Sequence, residues 1–136
     1  MSSGPALTAG VARTGRLQVT GAAIRRFAQL TGDAAQQHTL PMDSRLMAHG
    51  LYVASLAGSL LSECGFVGRR TTLDFLAPVW EGDVLEATVT IRRAVPAGRL
   101  GTSVEADFII HDQAGQAVLA GTAAGLLPLR RHDGAQ

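Results

Sequence analysis

Asp33 and His38 stand five positions apart in a polar stretch, and eleven residues later His49-Gly50 opens a long apolar run. A carboxylate and an imidazole can divide proton transfer between them, one accepting while the other donates. The Gly50 amide, in the first turn of a helix, supplies the other half of such chemistry. Amides there lack intrahelical partners and the helix dipole favours negative charge, so an oxygen gaining charge can be met by that N–H. Glycine also lets a ligand come close to the backbone. The four residues together suit proton movement beside a carbonyl. Spacing alone supports a plainer reading too, with Asp33 as a turn residue behind Thr31-Gly32 and His38 as a solvated loop histidine. His49 reads either as a helix-start residue holding the loop or as a substrate contact. Ser55 and Ser59 read as small packing residues, either able to add a hydrogen bond in a pocket.

Other chemistries find little purchase. The four histidines, His38, His49, His111 and His132, show no metal-binding spacing, and no metal is expected. There is no phosphate-cradling glycine loop and no GxSxG nucleophile elbow. Cys64 ends an apolar helix with Glu63 beside it, an environment that disfavours the thiolate, so it reads as a packed small hydrophobe.

The elements that must position these residues follow from periodicity. Arg16 to Thr20 alternates as a short strand. Ile24, Phe27, Ala28 and Leu30 follow helical spacing, with Thr20 as cap and Gly32 as stop. A polar, irregular segment runs from Asp33 to about Arg45. The helix expected over His49 to Cys64 has almost no polar face, which predicts burial all round, and Gly65 ends it. Strands are expected over 71–79, with Leu73, Phe75, Ala77 and Val79 on one face, and over 84–93, with Leu85, Ala87, Val89 and Ile91 inward. Two more follow, over 101–111, with Val104, Ala106, Phe108 and Ile110 on one face, and over 117–127, the last apolar or small on both faces as in a covered central strand. Glu81-Gly82-Asp83, Pro96-Ala97-Gly98 and Asp112 to Gly115 are turns. The order predicts one α+β domain over 1–136, a curved antiparallel sheet wrapped around a long apolar helix, with flexible ends at about 1–14 and 130–136. The absence of alternating βα units argues against a doubly wound nucleotide-binding sheet.

Composition agrees. The 136 residues are 46% hydrophobic and 17% charged, enough for a core. A net charge of +1 gives no strong pull toward nucleic acid or anionic membrane, and 4% aromatics argues against base-stacking platforms. The apolar run Leu46 to Leu61 is broken by His49, Ser55 and Ser59 and falls short of the roughly 20 residues of a membrane span. No secretory signal is visible, and the single cysteine fits a reducing, cytoplasmic setting.

From Phe27 to Ser59 the chain resembles the MaoC-like hydratase and dehydratase family, which includes (R)-specific enoyl-CoA hydratases and has the hotdog fold. The matching residues are Phe27, Ala28, Thr31, Gly32, Asp33, His38, His49 and Gly50. The stretch from Phe75 to Ile91 resembles the family's strand-turn-strand. Two departures lie beside the expected pocket: Ala35-Gln36 replaces the family's Asn-Pro, and the segment from Thr39 to Ala48 is shorter than usual. The resemblance implies interconversion of 3-hydroxyacyl and 2-enoyl thioesters of fatty acid or polyketide type. Asp33 and His38 would be catalytic, Gly50 would form the oxyanion hole, and His49 and Ser55 would line the substrate site. It implies no cofactor beyond the coenzyme A or phosphopantetheine that carries the substrate, the latter on an acyl carrier protein. It also implies a homodimer, or a heterodimer with another hotdog subunit. Two other functions fit the same fold: a non-catalytic accessory subunit, and an acyl thioesterase. The second is weakened because positions 49–62 hold no carboxylate.

Overall fold

A computed structural model describes residues 7–129. The elements run β1 (Ala12–Gln18), α1 (Gly21–Thr31), α2 (Gln36–Thr39), α3 (Gly50–Ser62), β2 (Val67–Phe75), β3 (Val84–Pro96), a 3-10 turn (Gly98–Leu100), β4 (Thr102–His111) and β5 (Ala117–Leu127). All strands pair antiparallel in one sheet of order β1-β3-β4-β5-β2. The expected strand-helix-helix-sheet order is found.

The inward alternation read for β3 and β4 is found: Leu85, Ala87, Val89, Ile91, Val104, Ala106, Phe108 and Ile110 are all buried. The helix α3 lies across this face and presents Val53, Leu56, Ala57, Leu60 and Leu61 to it. Its approach to β1 is close, since a Cβ on Gly15 would lie 2.8 Å from the Leu60 side chain. Past Ile91 a bulge shifts the register, and Arg92 and Arg93 both end up exposed. There Arg92 bonds Glu105 and pairs with Asp107, and both hold its guanidinium above its usual range. The Glu81-Gly82-Asp83 turn is organised by the buried Asp83, whose carboxylate accepts from the Trp80 amide (2.9 Å) and from Gln113 Nε2 (3.0 Å).

Several expectations are corrected. Strand β1 begins at Ala12 rather than Arg16, because Ala12 to Gln18 pairs with Val84 to Thr90. Leu7 is buried, so the loose arm expected over 1–14 does not extend through 7–14. Residues 1–6, and the tail expected at 130–136, lie outside the described residues. Leu30 is exposed, since α1 buries only Gly21, Ile24 and Ala28. Nor is α3 buried all round in the single chain. Leu51, Ser55, Gly58, Ser59 and Ser62 form an exposed stripe, because sheet packing covers one side of the helix only. Strand β2 starts at Val67 and stops at Phe75, and only Leu73 along it is even half-buried, since β2 is an edge. Strand β5 is internal, but Ala120, Thr122, Ala124 and Leu126 on its second face stay half-exposed.

Candidate active site

Helix α1 delivers the first residue. Thr20 Oγ1 caps it by accepting from the Ala23 amide (3.1 Å), and Gly32 at φ 78° ends it. Thr31 Oγ1 then accepts from the Asp33 amide (3.2 Å), which fixes the turn that carries Asp33. The segment that follows is not wholly irregular, because Gln36–Thr39 forms the single turn α2 and His38 sits in it, buried. Asp33 is exposed at the cavity mouth.

Each histidine ring is oriented by a backbone carbonyl. His38 Nδ1 lies 2.8 Å from the Met47 oxygen, and His49 Nε2 lies 2.8 Å from the Asp33 oxygen. Carbonyls only accept, so those nitrogens carry the protons, and in the neutral rings His38 Nε2 and His49 Nδ1 hold the lone pairs. The rings stack on each other with centroids 3.7 Å apart and planes at 19°, and Phe27 closes on His49 at 4.8 Å. One potential ligand atom from each of Asp33, His38 and His49 lies within 4.8 Å of the others. The two histidines that spacing left scattered are therefore neighbours, and their residue types could hold a metal ion. Lone pairs lie in the ring planes, so near-parallel stacked rings direct them side by side. One ion bound through both rings would require a ring to leave the stack.

The first bond of α3 runs from the Val53 amide to the His49 oxygen (3.1 Å), so the amides of Gly50, Leu51 and Tyr52 have no intrahelical partner. Gly50 opens on a cavity of about 750 Å³ that Phe27, Asp33, His38, Leu51, Phe75 and Val118 help to line. Phe75, which the expected alternation places on one strand face with Leu73, stands at the rim, 56% exposed. Its ring rests on Gly50, where a Cβ would lie 2.5 Å from Cε1. Close approach at Gly50 is thus already made by Phe75, not reserved for a ligand. Tyr52 lies 5.8 Å from Phe27, and burial raises its phenol above the ordinary value.

Asp33, His38, His49 and Gly50 are brought together, and Ser55 is not. It lies about 140° around the helix from Gly50 at 3.6 residues per turn, is exposed, and donates to the Tyr52 carbonyl (2.6 Å). His49 lines the cavity, but one ring nitrogen is spent on Asp33 and the other is covered, which leaves none for a substrate. Cys64 is half-buried, with Sγ 3.7 Å from the Leu60 carbonyl. The compact 39–48 segment turns at Met42–Arg45 through Asp43 and Ser44 at φ 50° and 69°, and Arg45 lies over the Trp80 ring. Missed from the sequence were the Met47 and Asp33 carbonyls, which no residue type signals, and the rim position of Phe75.

The chain is 32% identical over 104 residues to the 3-hydroxybutyryl-CoA dehydratase of Methylorubrum extorquens, a match covering 68% of this chain and 66% of that protein. The chain thus matches just under two thirds of that curated relative's length. Among solved structures, the (R)-hydratase from A. caviae involved in PHA biosynthesis superposes with a TM-score of 0.80 at 25% identity, over 92% of this chain and 100% of that one. The MaoC-like dehydratase from Rhodospirillum rubrum gives 0.71 at 24% identity, over 93% and 96%. No family model matches the chain. The sheet wrapped on α3 is the hotdog fold of these hydratases. Among the described residues no helix is long and apolar enough to cross a membrane.

Proposed function

The chain belongs to the MaoC-like hotdog family, and we propose that it interconverts 3-hydroxyacyl and 2-enoyl thioesters. The observation that carries this reading is the meeting of Asp33, His38 and the partnerless first-turn amides of α3 around one largely apolar cavity. In hydration, a water held between the Asp33 carboxylate and His38 Nε2 gives up a proton to that pair as its oxygen bonds to C3. The displaced electron pair moves onto the thioester oxygen, where the Gly50 amide meets it. The proton then passes to C2, and the protein ends unchanged. Dehydration is the same path reversed.

The acyl group rides on coenzyme A or on the phosphopantetheine of an acyl carrier protein, and no other cofactor is required. The compactness of the 39–48 turn supports tolerance of bulky acyl chains. Thioester hydrolysis has less support, since no carboxylate lies within α3 and Glu63 follows its far end. A second subunit, the same chain or another hotdog protein, would pair with edge strand β2, where Val67, Phe75 and neighbouring Leu76 are exposed.

The test is hydration of crotonyl-CoA and longer 2-enoyl thioesters by the purified chain, followed by loss of enoyl absorbance. Turnover that Asp33→Asn abolishes is expected. Absence of turnover on every chain length, alone and with a second hotdog subunit, would leave the accessory reading in its place. Light scattering that finds a monomer at micromolar concentration would remove the pairing.

A further inference from the structure

We infer that His49 is the positioning residue of this site, holding Asp33 and His38 in register from behind; the inference rests on the proton-transfer roles proposed for those two residues. His49 occupies the N-cap position of α3 yet makes no side-chain cap bond. Ser, Thr, Asp or Asn would cap the helix better, so capping does not explain a histidine there. Its ring instead reaches back sixteen residues and donates Nε2–H to the Asp33 carbonyl at 2.8 Å. One face packs on His38 and the ring also meets Phe27, so a single side chain touches α1, the Asp33 turn and α2 from the start of α3.

The other nitrogen carries the argument further. His49 is 2% exposed, and Nδ1 is buried with no hydrogen-bond partner. A buried orphan acceptor costs stability. Phenylalanine would fill the same space without that cost, so packing does not explain the histidine either. What histidine adds over phenylalanine is the Nε2–H bond that ties the backbone of Asp33 to the ring stacked on His38. Displacing a reacting group by about 1 Å can cost on the order of 10²-fold in rate, and this bond guards against such a displacement.

The experiment compares His49→Phe, His49→Asn and His49→Gln with Asp33→Asn, reading kcat, KM and Tm for crotonyl-CoA hydration by the full chain. His49→Phe keeps the stack and loses the donor, and kcat is expected to fall about 10- to 100-fold with KM and Tm nearly unchanged. His49→Asn supplies a better cap but cannot reach Asp33 and vacates the stack on His38, so kcat falls further than the accompanying change in Tm explains. His49→Gln returns an N–H near the Nε2 position and recovers part of the loss. The double variant Asp33→Asn/His49→Phe is expected to lose little beyond Asp33→Asn alone. Wild-type kcat in His49→Phe beside an inactive Asp33→Asn would overturn the inference, as would kcat losses that simply follow Tm. Full activity in Asp33→Asn would instead overturn the proton-transfer reading beneath it.

Discussion

The face between α3 and strands β3 and β4 and the segment from Asp33 to His49 are both partly buried, but different forces hold them. In the first, Leu85, Val104, Ala106 and Ile110 are fully covered and contribute only apolar area. In the second, two histidines are buried beside Leu46 and Ala48, and each ring is aimed by one bond to a carbonyl. Area is non-directional, so the core tolerates small shifts while overall burial is kept. A hydrogen bond weakens steeply with misalignment, so the site does not. Damage to the core is therefore expected to appear as lost stability, and damage to the segment as lost turnover.

The largest separation comes from Asp33→Asn. It keeps size and removes the base, and activity is expected to fall about 10²- to 10⁴-fold. Because Asp33 is exposed, Tm should stay put, and a melt run beside the assay checks both. His38→Ala would cost activity similarly but blurs the contrast, since His38 is buried and stacked. Parallel losses in rate and Tm for Asp33→Asn would break the distinction.

Leu85→Ala is the counterpart in the core. Removing a fully buried leucine costs about 2–5 kcal/mol, measurable by urea unfolding, while the folded fraction keeps its KM.

Gly50→Ala probes the boundary between the regions. The new methyl must displace the Phe75 ring, and a shift of the adjoining amide by about 1 Å would cost up to about 10²-fold in turnover. Adding Phe75→Ala is expected to restore much of it. A double variant no better than the single would place the conflict with the substrate instead.

The smallest effect is Thr20→Ala. Loss of the cap on α1 costs about 1 kcal/mol and, thirteen residues from Asp33, leaves kcat near wild type by the same assay.

Much of the architecture is legible in residue order alone. Alternation in 84–91 and 104–110 assigns the inward face of the sheet, because side chains alternate along a strand. Thr20 and Gly32 delimit α1, because cap chemistry is local. The run after His49 is recognisable as the packed helix, and the motif around Asp33, His38 and Gly50 points to the family. Strand periodicity does not tell an edge from an interior, so the exposure of β2 and the rim position of Phe75 emerge only when the sheet order is known. Helical periodicity does not say how many sides will be covered, so the open stripe on α3 and the place of Ser55 on it also wait for the fold. The tautomers and stacking of His38 and His49 are the clearest case of tertiary control. They depend on two backbone carbonyls, at Met47 and Asp33, and a carbonyl belongs to every residue, so only the path of the chain in space decides which one a ring will meet.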